Sequence, residues 1–268
     1  MRRIGLSTVP ATLCLLAALL TGCASTPKDV TQGWSNERLY QEARDEVSAG
    51  AWDKAIGFLD KLEGRAAGTV LAQQAQIDKA YAQYRNSDKV QAIATLDRFI
   101  RLHPTSPAMD YALYLKGLVN FNDNLGLFSS LINQDLSERD QKAAKESYES
   151  FLELSRRFPD SKYTPDARQR MLYIVNSLAG YEVHVARYYA RRGAHVAAIN
   201  RAQQAINDYQ GVPAAEEALA ILVYSYDALG MTQLRDDARR VLNQNYPDSS
   251  FLKNPLVARK SKPWWQLW

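Results

Sequence analysis

Cysteine is almost absent from this chain. Its two cysteines, Cys14 and Cys23, both lie in the first 23 of 268 residues, so the rest of the chain has no disulfide and no cysteine-based metal site. Histidine is scarce as well. His103, His184 and His195 are scattered, and no His-Glu-x-x-His or comparable ligand spacing brings them together. Glycine (13) and proline (10) are few, while alanine, leucine, glutamine, arginine and glutamate abound, a balance that favours helix. There is no excess of one charge: the formal net charge is +4, without the strongly basic face that nucleic acid requires. No glycine-rich phosphate loop and no Gly-x-Ser-x-Gly elbow occurs. Charged clusters such as Ser137-Glu138-Arg139-Asp140 and Arg235-Asp236-Asp237 read as solvated faces. A hydrolase built on His184 or His195 needs an acid and a nucleophile that the sequence does not place near them. The chain therefore reads as a binding protein, not an enzyme, with no cofactor and no metal.

The N-terminus reads as an address. Arg2 and Arg3 precede an apolar stretch, Val9 to Leu20, which is too short for the ~20 residues that a membrane-spanning helix needs. Leu20-Thr21-Gly22-Cys23 closes it. The order basic, apolar, Leu-x-Gly-Cys, then polar resembles the lipobox of bacterial lipoproteins. That resemblance implies removal of residues 1–22, a diacylglyceryl thioether on the Cys23 sulfur and an acyl chain on its amino group. Several acyl chains anchor stably where one does not. Losing Arg2 and Arg3 lowers the formal charge from +4 to +2. In such lipoproteins an aspartate after the cysteine favours the inner membrane; Ala24 and Ser25 stand here, which implies the outer membrane. Residues 23–34 are small and polar and read as a flexible tether.

What the chain does have is a recurring helix. Asp88 to Ser106 reads as one helix ending in a proline turn, and its pattern returns 55 residues later. Ala92 aligns with Ser147, Leu96 with Phe151, Phe99 with Leu154, Pro104 with Pro159 and Ser106 with Ser161. The same steps occur 37 residues earlier as Ala55, Ile56, Leu59 and Leu62, later as Ala198, Ile199, Ala202 and Ala205, and once more before Tyr246-Pro247-Asp248-Ser249. Preceding helices carry Tyr40, Ala43 and Val47, then Ile77, Ala80 and Tyr84, then Tyr114, Gly117 and Phe121, each set 37 residues after the last. A small residue (Ala43, Ala80, Gly117, Ala186) recurs where two helices must approach closely. Spacing, small residue and terminal proline together resemble the tetratricopeptide repeat. Ser106-Pro107 and Thr164-Pro165 each predict a helix start with a hydroxyl cap. The fold class is all-α: a right-handed superhelical array of about five helix pairs. Residues 35–105 hold repeats one and two, and residues 106–252 hold repeats three to five.

Two departures from the period stand out. About 18 residues are inserted at 122–140, with Leu125, Leu127, Phe128, Leu131 and Ile132 among them. Either this insert packs back on the array or it contacts a partner. About 14 extra residues follow Pro159, and Pro165 to Arg192 has no breaker except Gly180. One long helix bridging repeats three and four is expected there. The tail, 253–268, holds Trp264, Trp265 and Trp268, three of the five tryptophans. It suits a lipid interface, another protein, or a cap on the last repeat. Stacked helix pairs curve into a concave surface that holds extended or helical partners. Near its front, Tyr40 and Tyr84 read as core, Trp52 and Tyr81 as the exposed substrate-groove residues. His103 aligns with Phe158 and Tyr246 and reads as a ring at a helix end.

Three stretches carry a closer resemblance: Leu96 to Thr105, Asp110 to Leu118, and Tyr181 to Gly193, with Asp135 to Asp140 at the end of the insert. They are similar to the BamD (ComL-type) family of outer-membrane assembly lipoproteins, and the match covers nearly all of residues 35–250. The resemblance implies a non-enzymatic scaffold in the machine that folds β-barrel proteins into the outer membrane. It implies C-terminal repeats docked on the POTRA region of a BamA-like barrel protein, and N-terminal repeats facing a BamC-like lipoprotein and receiving unfolded barrel substrates. The family's Ala-x-x-Asn-Arg segment stands here as Ala197 to Arg201, which gives Arg201 the role of coupling to the BamA-like partner; on its own pattern Arg201 reads as a solvated arginine. Partner-binding candidates are thus Arg201, Leu127, Phe128, Trp264 and Trp265. The alternative is a different periplasmic repeat scaffold, one that coordinates cell-wall or division proteins.

Overall fold

The computed structural model describes residues 29–121 and 138–253. Those residues are helical, with no strand among them. The α-helices run in order: α1 (Asn36–Ser48), α2 (Trp52–Arg65), α3 (Val70–Arg85), α4 (Lys89–Leu102), α5 (Met109–Asn120), α6 (Glu138–Arg157), α7 (Thr164–Arg191), α8 (His195–Asp208), α9 (Ala214–Ala228) and α10 (Thr232–Asn245). A 3-10 turn, Ser250–Leu252, follows. Each helix packs chiefly on its neighbours in sequence. The result is the stack of helix pairs that the period predicts, α1 with α2 through α9 with α10.

The two members of a pair are buried differently, and the sequence says why. Even-numbered helices bury one stripe, such as Ala55, Leu59 and Leu62 on α2 or Ala198, Ala202 and Ala205 on α8. The odd-numbered helices α3, α5 and α9 lie between neighbours on both sides and are buried almost all round. On α3 this includes Ala72, Ala75, Ile77, Ala80 and even Lys79, whose ammonium meets Asp60 at 2.7 Å and Glu63 at 2.5 Å on α2. The recurring small residue does what its position implies. Gly117 is buried under the Phe151 ring, three atoms of which lie within 2.7 Å of where a Cβ would stand. One turn before Phe151 on α6, Ser147 donates its hydroxyl to the Gly117 carbonyl at 2.8 Å.

α7 spans 28 residues, about 42 Å at 1.5 Å per residue. Its front, Ala167 to Ala179, belongs to the core that contains Leu96, Phe99 and Phe151. Its rear, Val183 to Ala190, belongs to the core built with α8 and α9. Arg187 adds a two-pronged ion pair to Glu217 on α9. One continuous helix thus serves two cores, as the missing breakers foretold.

Several expectations change. The hydroxyls expected to cap α5 and α7 do not do so. α5 begins at Met109 after Ala108, and Thr164 is the fully buried first residue of α7, donating instead to the Phe158 carbonyl at 2.7 Å. The turn serine is the recurring element: Ser106, Ser161 and Ser249 each accept from the N–H two residues on, at 3.4, 3.3 and 3.2 Å, closing the proline turn with a side chain. The last three residues of the insert 122–140, Glu138 to Asp140, already belong to α6. Tyr40 and Tyr84 are half-buried, not core; Leu39 and Ala43 fill the core of α1. Asp29 to Trp34, inside the stretch read as tether, are docked on the array. Thr31 is fully buried, and Asp29 meets Lys61 at 2.6 Å, which holds its carboxyl well below the usual range.

Candidate functional site

The front of the array offers a groove between α1 and α3. Trp52 opens α2 just after the turn at Gly50, and Tyr81 sits on α3. Their rings meet edge to face, centroids 6.3 Å apart. The Arg85 guanidinium lies 4.9 Å above the Trp52 ring and donates to the Tyr81 hydroxyl at 2.7 Å. Both candidates are half-buried rather than exposed, so the groove wall is already organised. Beside it opens a cavity of about 220 Å³ lined by Arg44, Val47, Leu59, Asp78 and Tyr81. Asp78 accepts from Tyr40 at 2.8 Å and from Gln74 at 2.9 Å. Burial nevertheless raises the Asp78 carboxyl above its usual range, and burial beside Asp78 pushes Tyr40 up to about 12.

The aromatic surface continues at Tyr114, which the 37-residue spacing marks, and at Tyr111 and Tyr163, which it does not. Tyr111 packs 5.3 Å from Tyr163, Tyr114 stacks on Tyr163 at 4.8 Å, and Tyr114 donates to Asp166 at 2.8 Å. Burial pushes Tyr111 up to about 12. The signal for Tyr111 and Tyr163 was the tyrosine count alone, since they do not repeat with the period. Aromatic faces, hydroxyls and guanidinium groups along one wall suit an extended peptide with aromatic side chains and free backbone acceptors. A second cavity, about 300 Å³, lies between α4 and α6, with Ile93, Ile100 and Leu113 beside Asp97, Glu146 and Glu149. None of the residues chosen from the sequence lines it.

At the back, Arg201 on α8 is not simply solvated. Its guanidinium donates to Glu182 on α7 at 3.0 Å. The Glu182 side chain is 4% exposed and that of Arg201 41%. The pair ties α8 to the long helix and leaves the outer part of the guanidinium exposed. Tyr209, at the end of α8, is pushed up to about 12 by burial near Glu182.

The remaining candidates separate. Cys23, Leu127, Phe128, Trp264 and Trp265 lie outside the described residues. His103 ends α4 with its ring 5.1 Å from Phe99, as a ring at a helix end. His184 is exposed on α7, while His195 opens α8 near Tyr224. Among the described residues no group of His, Cys, Asp and Glu could hold a metal ion, and no helix is long and apolar enough to cross a membrane.

Comparison with known proteins follows the array. The family model described as YfiO, outer membrane lipoprotein, matches residues 33–242. The chain is 47% identical over 263 residues to the outer membrane protein assembly factor BamD of Neisseria meningitidis serogroup B, covering 98% of each chain. It is 36% identical over 231 residues to the protein of that name from Vibrio cholerae, 86% of this chain and 95% of the other. The Xylella fastidiosa relative (strain Temecula1), also named BamD, is 35% identical over 260 residues, 94% of this chain and 89% of the other.

Proposed function

The chain belongs to the outer membrane lipoprotein family of the BamD assembly factors, and from that membership we propose that it acts in outer-membrane protein assembly as a non-enzymatic scaffold. Identity of 47% to an assembly factor along 98% of both chains is the observation that supports this most. In the proposed arrangement, lipid on Cys23 holds the protein at the periplasmic face of the outer membrane. The rear repeats, α7 to α10, dock on the POTRA region of a BamA-like barrel protein. The front repeats receive unfolded barrel segments in the groove of Trp52, Tyr81 and Arg85, and face a BamC-like lipoprotein where one exists. Leu127 and Phe128 add contacts from the insert.

Arg201 is the proposed coupling residue. Its ion pair with Glu182 decides how it can be tested. Arg201→Glu would set a second carboxylate against a buried one, so lost binding would report lost packing. Arg201→Lys keeps a cation for Glu182 but removes the planar fork that grips an acceptor with two bonds. The test is a pull-down of the tagged, lipidated protein from its own membranes, with mass spectrometry of what co-purifies. A POTRA-bearing barrel protein is expected, and Arg201→Lys should reduce it about tenfold, ~1.4 kcal/mol, at unchanged helicity. Recovery of cell-wall or division proteins instead would move the function to a different periplasmic scaffold and leave the fold intact.

A further inference from the structure

The first three repeats meet at two successive junctions whose residues correspond one to one. α2 maps onto α4 and α3 onto α5 at 37 residues, and α4 onto α6 at 55, so that Leu59 falls on Leu96, Ala80 on Gly117 and Leu96 on Phe151. At both junctions a lysine reaches back to an aspartate of the preceding pair: Lys79 to Asp60 and Lys116 to Asp97, each at 2.7 Å. Beyond that shared ion pair the two junctions differ.

The first junction fills itself. Arg98 of α4 lays its guanidinium on Glu63 of α2, 2.8 and 3.1 Å from the two carboxylate oxygens, and Glu63 also takes Lys79. Two cations there face two carboxylates. At the second junction the counterpart of Arg98 is Glu153 and that of Glu63 is Ile100, while Gln91 and Ala94 give way to Glu146 and Glu149. These residues line the cavity of about 300 Å³, which also holds Leu113 and Ile93. The one cation in its lining, Lys116, is already held by Asp97. Cations on α6 answer two of the other carboxylates: Lys142 lies 3.7 Å from Glu146, and Arg157 2.6 Å from Glu153. Exposed pairs of this kind contribute little. No cation pairs with Glu149 among the described residues. A cavity with an apolar wall and surplus negative charge thus stands where the preceding junction seats an arginine.

We propose that this cleft receives an arginine of a partner polypeptide, its guanidinium among Glu146, Glu149 and Glu153 and its stem along Ile93 and Ile100. The first junction shows the same arrangement completed by the chain's own Arg98. Arginine suits the site better than lysine, because its planar fork grips carboxylates with two bonds and its methylene stem covers apolar surface. The volume lies at the small end of ligand sites, which span about 300–1,000 Å³, and matches one side chain. The half-buried isoleucines call for apolar residues beside the arginine on the partner. The cleft is separate from the Trp52 groove and from Arg201, and stands whichever of those carries the proposed function.

The test titrates the peptide acetyl-Leu-Arg-Leu-amide into the whole lipidated protein in detergent micelles and follows the δ-methyl NMR signals of Ile93 and Ile100. Both signals should shift and saturate. The same peptide with neutral citrulline in place of arginine, and free arginine, should each bind about tenfold more weakly. Glu149→Gln combined with Glu153→Gln should weaken the arginine peptide to the same extent. Ile100→Glu combined with Glu153→Arg rebuilds the first junction's arrangement; it should keep the helicity and leave the Ile93 signal unmoved by the peptide. Where that protein loses helicity, the glutamine pair alone decides. Isoleucine signals that do not saturate, equal binding of the citrulline peptide or of free arginine, or binding indifferent to the paired substitutions overturns the proposal.

Discussion

Gly117 is glycine because the Phe151 ring fills the space that a Cβ would take. Gly117→Ala should therefore cost about 1–3 kcal/mol, the usual range for overpacking a close contact. The opposite sign is expected at Ser87. The turn inside a helix pair uses a left-handed residue, glycine at Gly50, Gly193 and Gly230, but Ser87 takes φ +67 in the second pair. Ser87→Gly should stabilise by about 1 kcal/mol, since a left-handed conformation costs other L-residues about that much. Thermal melts of the two variants beside the parent check both signs. Asp78 makes a pH-dependent statement. Its carboxyl is raised in the folded protein, so its contribution is favourable below the unfolded value near 3.8 and is lost as pH rises through the folded value. Asp78→Asn should accordingly be at least as stable as the parent at pH 7, with the advantage gone near pH 3. Urea midpoints at the two pH values decide it; a parent clearly more stable at pH 7 contradicts this reading of the site.

At the scale of elements, α7 carries the coupling. Its two halves lie in different cores, and Gly180 stands between them with nothing within 4 Å of the place a Cβ would take. Gly180→Pro should break the helix there, at a cost of about 3 kcal/mol or more. The front and rear cores should then unfold as two transitions, against one expected for the parent. A single shifted transition would mean that packing outside α7 joins the halves. This helix was legible in the sequence because its 28 residues hold proline only in the first turn, while the other helices span 12 to 20 residues. Its starting cap was not legible. Thr164 looks like a capping hydroxyl, yet burial under the preceding turn directs it toward the Phe158 carbonyl. The turn serines were visible as a repeat, but their role depended on geometry that spacing cannot supply.

Across the whole molecule, the array could be read from the period, since each repeat is a local pattern that only its neighbours must satisfy. The sites were less legible because their contacts join residues with no common pattern. Nothing near Arg201 in sequence announces Glu182, nineteen residues back on another helix. The tyrosine row likewise gathers Tyr111, Tyr114 and Tyr163 from either side of the insert. What the fold supplies to the proposed function is separation: the groove of Trp52 and Tyr81 at the front, the half-exposed Arg201 guanidinium at the rear, and one helix spanning both cores. In the proposed function both ends work at once. The most direct measurement titrates a fluorescent unfolded-barrel segment into the whole protein, alone and with a saturating POTRA region, and follows anisotropy. A three-component complex is expected, in which the segment binds equally well with the POTRA region present, and loses about tenfold in affinity with Trp52→Ala and Tyr81→Ala. Competition between the two ligands, or binding that ignores the groove substitutions, would contradict it.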